Sequence, residues 1–139
     1  QIGAGMKLPR KGCVFFSIKD KDKNDNLAET AQRLVKLGFN ITATRGTAVF
    51  LKGRNIPCKQ INKVYEGRPN IVDAMKNGEI DLVMNTTEGA QAVKDSREIR
   101  SVALHDKIPY FTTAAAAHAA ALAIQSQNDG DIIVKSLQN

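Results

Sequence analysis

The sequence predicts an α/β domain: a three-layer, Rossmann-like arrangement with a five-stranded, mainly parallel sheet and helices on both faces. Three observations carry this. Short apolar runs alternate five times with segments of helical period. The strands are short apolar runs, the pattern of a parallel sheet covered by helices on both faces. Glycine, proline or a capping residue punctuates the joints between them.

The first strand is GCVFFSI, residues 12–18. After the polar loop KDKDKND, Leu27, Ala28, Ala31, Leu34 and Val35 recur at helical spacing, with Asn24 or Asp25 as the cap and Gly38 as a left-handed stop. The second strand is FNITA, residues 39–43. TRGTAVFLKG reads as a turn into a short helix closed by Gly53, and IPCKQIN, residues 56–62, as the third strand. Pro69 is placed at the opening of the next helix, where its missing N–H costs nothing. Ile71, Ala74 and Met75 form the buried stripe of that helix and Gly78 ends it.

Leu82, Val83 and Met84 make the fourth strand. Asp95 and Glu98 form a capping-box-like pair, predicting a helix start there with Ile99, Val102 and Ala103 inward. IPYFT, residues 108–112, is the fifth strand, and the alanine-rich stretch 114–124 is the last helix, alanine having the best helix propensity. The tail after Ser126 is polar, with residues 132–134 expected to dock back. No internal repeat or linker appears, so one domain is expected.

Composition narrows the function classes. A chain of 139 residues can bury a real core, and no apolar run approaches membrane-spanning length. The start, QIGAGMKLPRKG, lacks the sustained apolar region of a signal peptide, and a beginning at Gln1 suggests a piece of a longer chain. The net charge of +6 favours anionic partners. Few aromatics and no recognisable motif argue against nucleic acid. Cys13 and Cys58 read as free thiols that demand no oxidising compartment. Neither His105 nor His118 has metal-ligand spacing with a cysteine, so no metal site is expected.

In doubly wound sheets ligands bind beyond the carboxyl ends of the strands, so those ends decide the function. The first strand ends at Ser17, followed by Lys19, Lys21 and Lys23; the second at Thr44-Arg45-Gly46-Thr47. The third ends at Asn62-Lys63, the fourth at Asn85-Thr86-Thr87-Glu88-Gly89, the fifth at Thr112-Thr113. Hydroxyls and helix N-terminal N–H groups are directed donors, lysines add point charge, and Gly46 and Gly89 let backbone approach an anion closely. Each element alone is ordinary, a threonine as a cap or a lysine as surface. Together they suit a phosphate monoester. No carboxylate or histidine stands immediately at any strand end, which leaves no acid–base group for catalysis.

The runs FSIKDKDK, GFNITATRGTAVFL, INKVYEGRPNIVDAMKNGEIDLVMNTTEG and DSREIRSVALHDKIPYFTT resemble, in order and spacing, the C-terminal regulatory domain of the carbamoyl-phosphate synthase large subunit, bacterial type. The wider fold group includes methylglyoxal synthase. The resemblance implies that residues 1–11 are a run-in from a preceding synthetase domain and 12–139 a methylglyoxal-synthase-like regulatory domain. It implies a nucleoside monophosphate effector, UMP inhibiting and IMP activating, with ornithine acting at the border with the synthetase. Phosphate-binding positions would fall on Ser17, Lys23 (or Lys21 in exchange), Thr44, Thr47, Lys63, Thr86 and Thr87. Asn85 would reach the ribose or phosphate side, Asp95 and Ile99 would line the nucleoside end, and Thr112 would lie near ornithine.

The implied partners are synthetase domains of the same chain and a small glutaminase subunit, in the cytoplasm, serving pyrimidine and arginine biosynthesis. ATP with magnesium would serve the full enzyme but not this domain, and neither nucleic acid nor membrane is an expected partner. The alternative is a methylglyoxal synthase-like lyase acting on dihydroxyacetone phosphate. That family carries Gly-Gly-Asp after the third strand, where this sequence reads EGRPNI.

Overall fold

The computed structural model describes residues 8–86 and 90–138. Five strands and five helices alternate: β1 (Gly12–Ser17), α1 (Asp25–Lys36), β2 (Phe39–Ala43), α2 (Arg45–Gly53), β3 (Lys59–Gln60), α3 (Ile71–Lys76), β4 (Leu82–Asn85), α4 (Ala90–His105), β5 (Tyr110–Phe111) and α5 (Ala114–Gln138). The sheet order is β3-β2-β1-β4-β5 and every pairing is parallel. Strand order therefore reverses between β1 and β4, the crevice where such sheets bind ligands. β1 is the centre, with Phe16 opposite both Ala43 and Met84.

The period of two in β1 builds two cores. Val14 and Phe16 face Leu27 and Leu34 of α1, Leu51 of α2 and the alanine face of α5 (Ala117, Ala120, Ala121). Phe15 points the other way, onto Ile71 and Met75 of α3 and Ile99 and Ala103 of α4. All three β1 side chains are fully buried. At roughly 1.5–3 kcal/mol for each large apolar side chain removed from water, this central strand is the energetic keel of the fold. Leu8 is buried in the first core too.

Element existence and order agree with the sequence; several boundaries do not. β3 and β5 are two residues each, not the seven- and five-residue strands expected. Both are edge strands that pair on one side only, and Ile56 and Ile108 serve the cores from outside the ladder. Asn24, not Asp25, caps α1, accepting from Leu27 N–H at 3.0 Å. Pro69 precedes the cap of α3 instead of opening the helix; the Arg68–Pro69 peptide is cis, and the Asn70 side chain caps by accepting from Val72 N–H at 2.9 Å. α2 ends at Gly53, as expected, and the left-handed residue just beyond it is Asn55 (φ 62°).

α4 begins at Ala90, so Asp95 and Glu98 lie within the helix and do not open it. α5 runs on to Gln138 in place of stopping at residue 124. Its extension is tied down where Gln127 and Asn128 donate to the Leu8 and Arg10 carbonyls (3.4 and 3.3 Å). The side chains of residues 132–134 lie outside the described residues. No described helix is long and apolar enough to cross a membrane.

Candidate functional site

The loop leaving β1 is held between its two neighbours by threonine hydroxyls. Ile18 N–H donates to Thr47 Oγ1 (3.0 Å), and Lys19 N–H donates to Thr86 Oγ1 (2.9 Å). The strand ladder continues into the same region, Thr44 N–H donating to Phe16 O (3.2 Å) and Thr86 N–H to Ser17 O (2.9 Å). The carboxyl ends of β1, β2 and β4 are thus locked in one register, and Thr44, Thr47 and Thr86 are all buried.

Thr44 stands at the N-cap of α2, yet its hydroxyl makes no capping bond. It turns to Thr47 Oγ1 (3.3 Å) and Ser17 Oγ (3.5 Å). The first-turn N–H groups of α2 consequently have neither an intrahelical acceptor nor a side-chain cap, and such groups carry the positive end of the helix dipole. At Gly46 in that turn, a Cβ would lie 3.1 Å from Lys23 Nζ. Glycine is what lets the ammonium lie against the helix end.

These groups enclose a cavity of about 310 Å³. Ser17 and Ile18 form its floor; Thr44, Gly46 and Thr47 one wall; Thr86 the facing wall; Lys19, Lys23 and Lys63 the rim, with Asp20 among them. Lys63 enters from the turn after β3, where its backbone N–H donates to Glu66 Oε1 at 2.6 Å. Asp20 accepts from Lys23 Nζ at 2.7 Å, and this contact holds its carboxyl below the usual carboxylate range. The cavity is a cup of hydroxyls and ammonium groups at a helix N-terminus, matched to a tetrahedral anion that accepts on every oxygen.

Of the residues singled out from sequence, Ser17, Lys23, Thr44, Gly46, Thr47, Lys63 and Thr86 line this one cavity. Asn85 does not. Its side chain is on the opposite side of β4, where Nδ2 donates to Ser96 Oγ (2.9 Å) and Tyr110 OH (2.8 Å). Ile99 is a core residue packed with Phe15 and Ile71. Thr112 follows β5, exposed and outside the cup, beside Thr113, whose hydroxyl accepts from Ala116 N–H at 3.0 Å. Thr87 and Gly89 lie outside the described residues, as does the side chain of Asp95.

Two features escaped the sequence reading. A carboxylate, Asp20, does reach the cup, and backbone N–H groups of the β1 loop occupy two of its threonine hydroxyls. The alternating charges of KDKDK were the available signal for the first. Among the described residues no group of three or more His, Cys, Asp and Glu could hold a metal ion.

Comparison with known proteins gives a concordant result. A family model described as MGS-like domain matches residues 26–112. The chain is 46% identical over 139 residues to the carbamoyl phosphate synthase large chain of Rhizobium meliloti (strain 1021), and 45% identical over 139 residues to that of Brucella suis biovar 1 (strain 1330). It is 45% identical over 140 residues to the carbamoyl phosphate synthase large chain, C-terminal section, of Methanopyrus kandleri. All of this chain is covered in each case, but it spans only 12%, 12% and 26% of the respective relatives.

Proposed function

We propose that this chain, which belongs to the MGS-like domain family, is the effector-binding domain of a carbamoyl phosphate synthase large chain and that its cup takes the phosphate of a nucleoside monophosphate. The observation that carries this is the convergence of three threonine hydroxyls, the α2 N-terminus and the lysines Lys23 and Lys63 on one cavity at the point where strand order reverses. Hydroxyls and N–H groups supply directed donors, and the lysines balance the charge. UMP as inhibitor and IMP as activator are the proposed ligands, with ornithine acting near Thr112 at a border with synthetase domains of the same chain.

In this reading the chemistry belongs to those synthetase domains, which use ATP with magnesium, and to a glutaminase subunit that supplies nitrogen, all in the cytoplasm. The effector acts only through a difference in its affinity for two states of the assembly. The cup's own carboxylate suits this better than it suits a lyase. A base that abstracts a proton from carbon works best with its pKa raised toward neutrality, whereas Lys23 holds Asp20 in its ionised form.

The test is calorimetric titration of the full-length protein with UMP, IMP, uridine and inosine. Charge-assisted hydrogen bonds are worth about 1.5–3 kcal/mol each, so losing the phosphate costs at least about a hundredfold in affinity. Equal binding of uridine and UMP removes the reading.

A further inference from the structure

We propose that Asp20 is a built-in competitor for the cup: with no effector bound its carboxylate neutralises Lys23, and an arriving phosphate must displace it. The inference rests on the reading of the cup as a phosphate site and adds a device that sets how readily that site fills.

The local fold places the two side chains together. Directly after β1 the chain makes a single 3₁₀ turn, Asp20–Asp22, closed by Asp22 N–H donating to Lys19 O (3.0 Å) and Lys23 N–H donating to Asp20 O (3.1 Å). Residues three apart in such a turn lie on one side of it, and Lys23 Nζ meets Asp20 Oδ1 at 2.7 Å. The partners are unequal. The Lys23 side chain is 18% exposed and rests against Gly46 in the first turn of α2, whereas the Asp20 side chain is 94% exposed. The lysine is packed against the protein; the acid reaches it from water.

This inequality has a physical cause. An ammonium beside a helix N-terminus meets the positive end of the helix dipole and needs an anion to offset it. Asp20 is that anion within the chain, and it also lies in the field of Lys63. The remaining acid of the turn, Asp22, faces Lys19 at 3.9 Å instead. A phosphate does the same task better, because its oxygens accept from the lysines and the threonine hydroxyls together, while Asp20 makes one contact with Lys23. Displacing Asp20 is cheap, since an exposed carboxylate is rehydrated as it swings away. It is not free, and every anion bears the same cost. Ligands that grip several donors overcome it; an anion that offers little beyond its charge does not. Asp20 thereby raises the concentration at which the cup fills.

The experiment is titration of the full-length protein with UMP, and with inorganic phosphate as competitor, for wild type, Asp20→Asn, Asp25→Asn, Lys23→Gln and the double variant Asp20→Asn/Lys23→Gln. Asp25 pairs with Arg54 outside the cup, so its variant removes the same charge without touching Lys23. Asp20→Asn is expected to tighten both UMP and phosphate about two- to fivefold, the range of an exposed ion pair. Asp25→Asn should change either by less than about 1.5-fold at physiological salt. In the Lys23→Gln background the Asp20→Asn gain should vanish. Unchanged or weaker binding in Asp20→Asn overturns the proposal, because Asp20 would then hold Lys23 ready for the ligand and not compete with it. A gain that survives in the Lys23→Gln background overturns it as well, reducing the effect to net charge. Wild-type protein that ignores UMP removes the phosphate-site reading and this inference together, whereas UMP binding with no Asp20→Asn gain removes this inference alone.

Discussion

Two cavities open on the same sheet, and the smaller is the better candidate site. The larger, about 690 Å³, lies toward the amino ends of β1 and β2, lined by Phe39, Ile41, Pro57, Ile61 and Ile80 with Cys13, Thr42, Cys58 and Glu79 between them. The cup at the opposite ends holds about 310 Å³. In the cleft both thiols already have partners: Cys13 Sγ is 3.2 Å from Thr42 Oγ1, and Cys58 Sγ is 3.7 Å from the Ala48 carbonyl. Burial pushes both thiols up from their usual range, away from the reactive thiolate. The cup presents first-turn N–H groups and ammonium charge. The contrast follows from chain direction. In a parallel sheet the helix N-termini gather at the carboxyl ends of the strands, and the helix C-termini at the amino ends. The cleft accordingly meets the chain just beyond α1, at Gly38, and just beyond α3, at Glu79, where the dipole is negative. Volume alone does not locate an anion site; the direction of the backbone does.

The contrast can be broken or sharpened by three substitutions. The largest effect is expected for Lys63→Ala, which removes a rim charge: effector affinity should fall roughly ten- to a hundredfold, the equivalent of about 1.5–3 kcal/mol, with unfolding midpoints unchanged. A wild-type dose–response to both UMP and IMP would take Lys63 out of the site. Gly46→Ala should act with opposite signs on two readouts. Alanine favours the helix by up to about 1 kcal/mol, while its methyl displaces Lys23 and lowers affinity roughly three- to tenfold. Thermal melts and titrations moving in the same direction would contradict the packing described. The smallest effect belongs to the cleft: Thr42→Val removes the partner of Cys13 and should cost about 1 kcal/mol of stability, leaving UMP affinity untouched. A changed affinity there would mean that the two cavities are coupled.

What was legible in the sequence follows from what each signal measures. Apolar runs record burial, so β1, β2 and β4, buried on both faces, were found nearly to the residue. The same signal overextends β3 and β5, because Ile56 is buried and Ile108 half-buried without being paired. The alanine-rich stretch ends at residue 124 and the tail after Ser126 is polar, so propensity stops short of the observed end of α5; the bonds from Gln127 and Asn128 to residues 8 and 10 are tertiary, and nothing local announces them. At the site, the rule that ligands gather at strand carboxyl ends picked out most of the residues lining the cup. It could not separate Thr86 from Asn85, although alternation could: Leu82 and Met84 face one core and Val83 the other, so consecutive positions at the strand end diverge in the same way. For Asp20 the alternating charges of KDKDK offer a signal, but only the 3₁₀ turn Asp20–Asp22 decides which acid meets Lys23.

The position of β1 at the centre of the sheet has a mechanical consequence. The loop that forms the cup's floor is the direct continuation of the central strand, and two threonines rivet it to α2 and to the end of β4. A ligand that pulls on this loop loads the strand whose side chains are buried in both cores. On the effector reading proposed above, a cup anchored in that way passes the pull on as a tilt of the whole block. The part of the domain best able to deliver such a motion is therefore its far surface, where a small rotation becomes the largest displacement, as at the end of a lever.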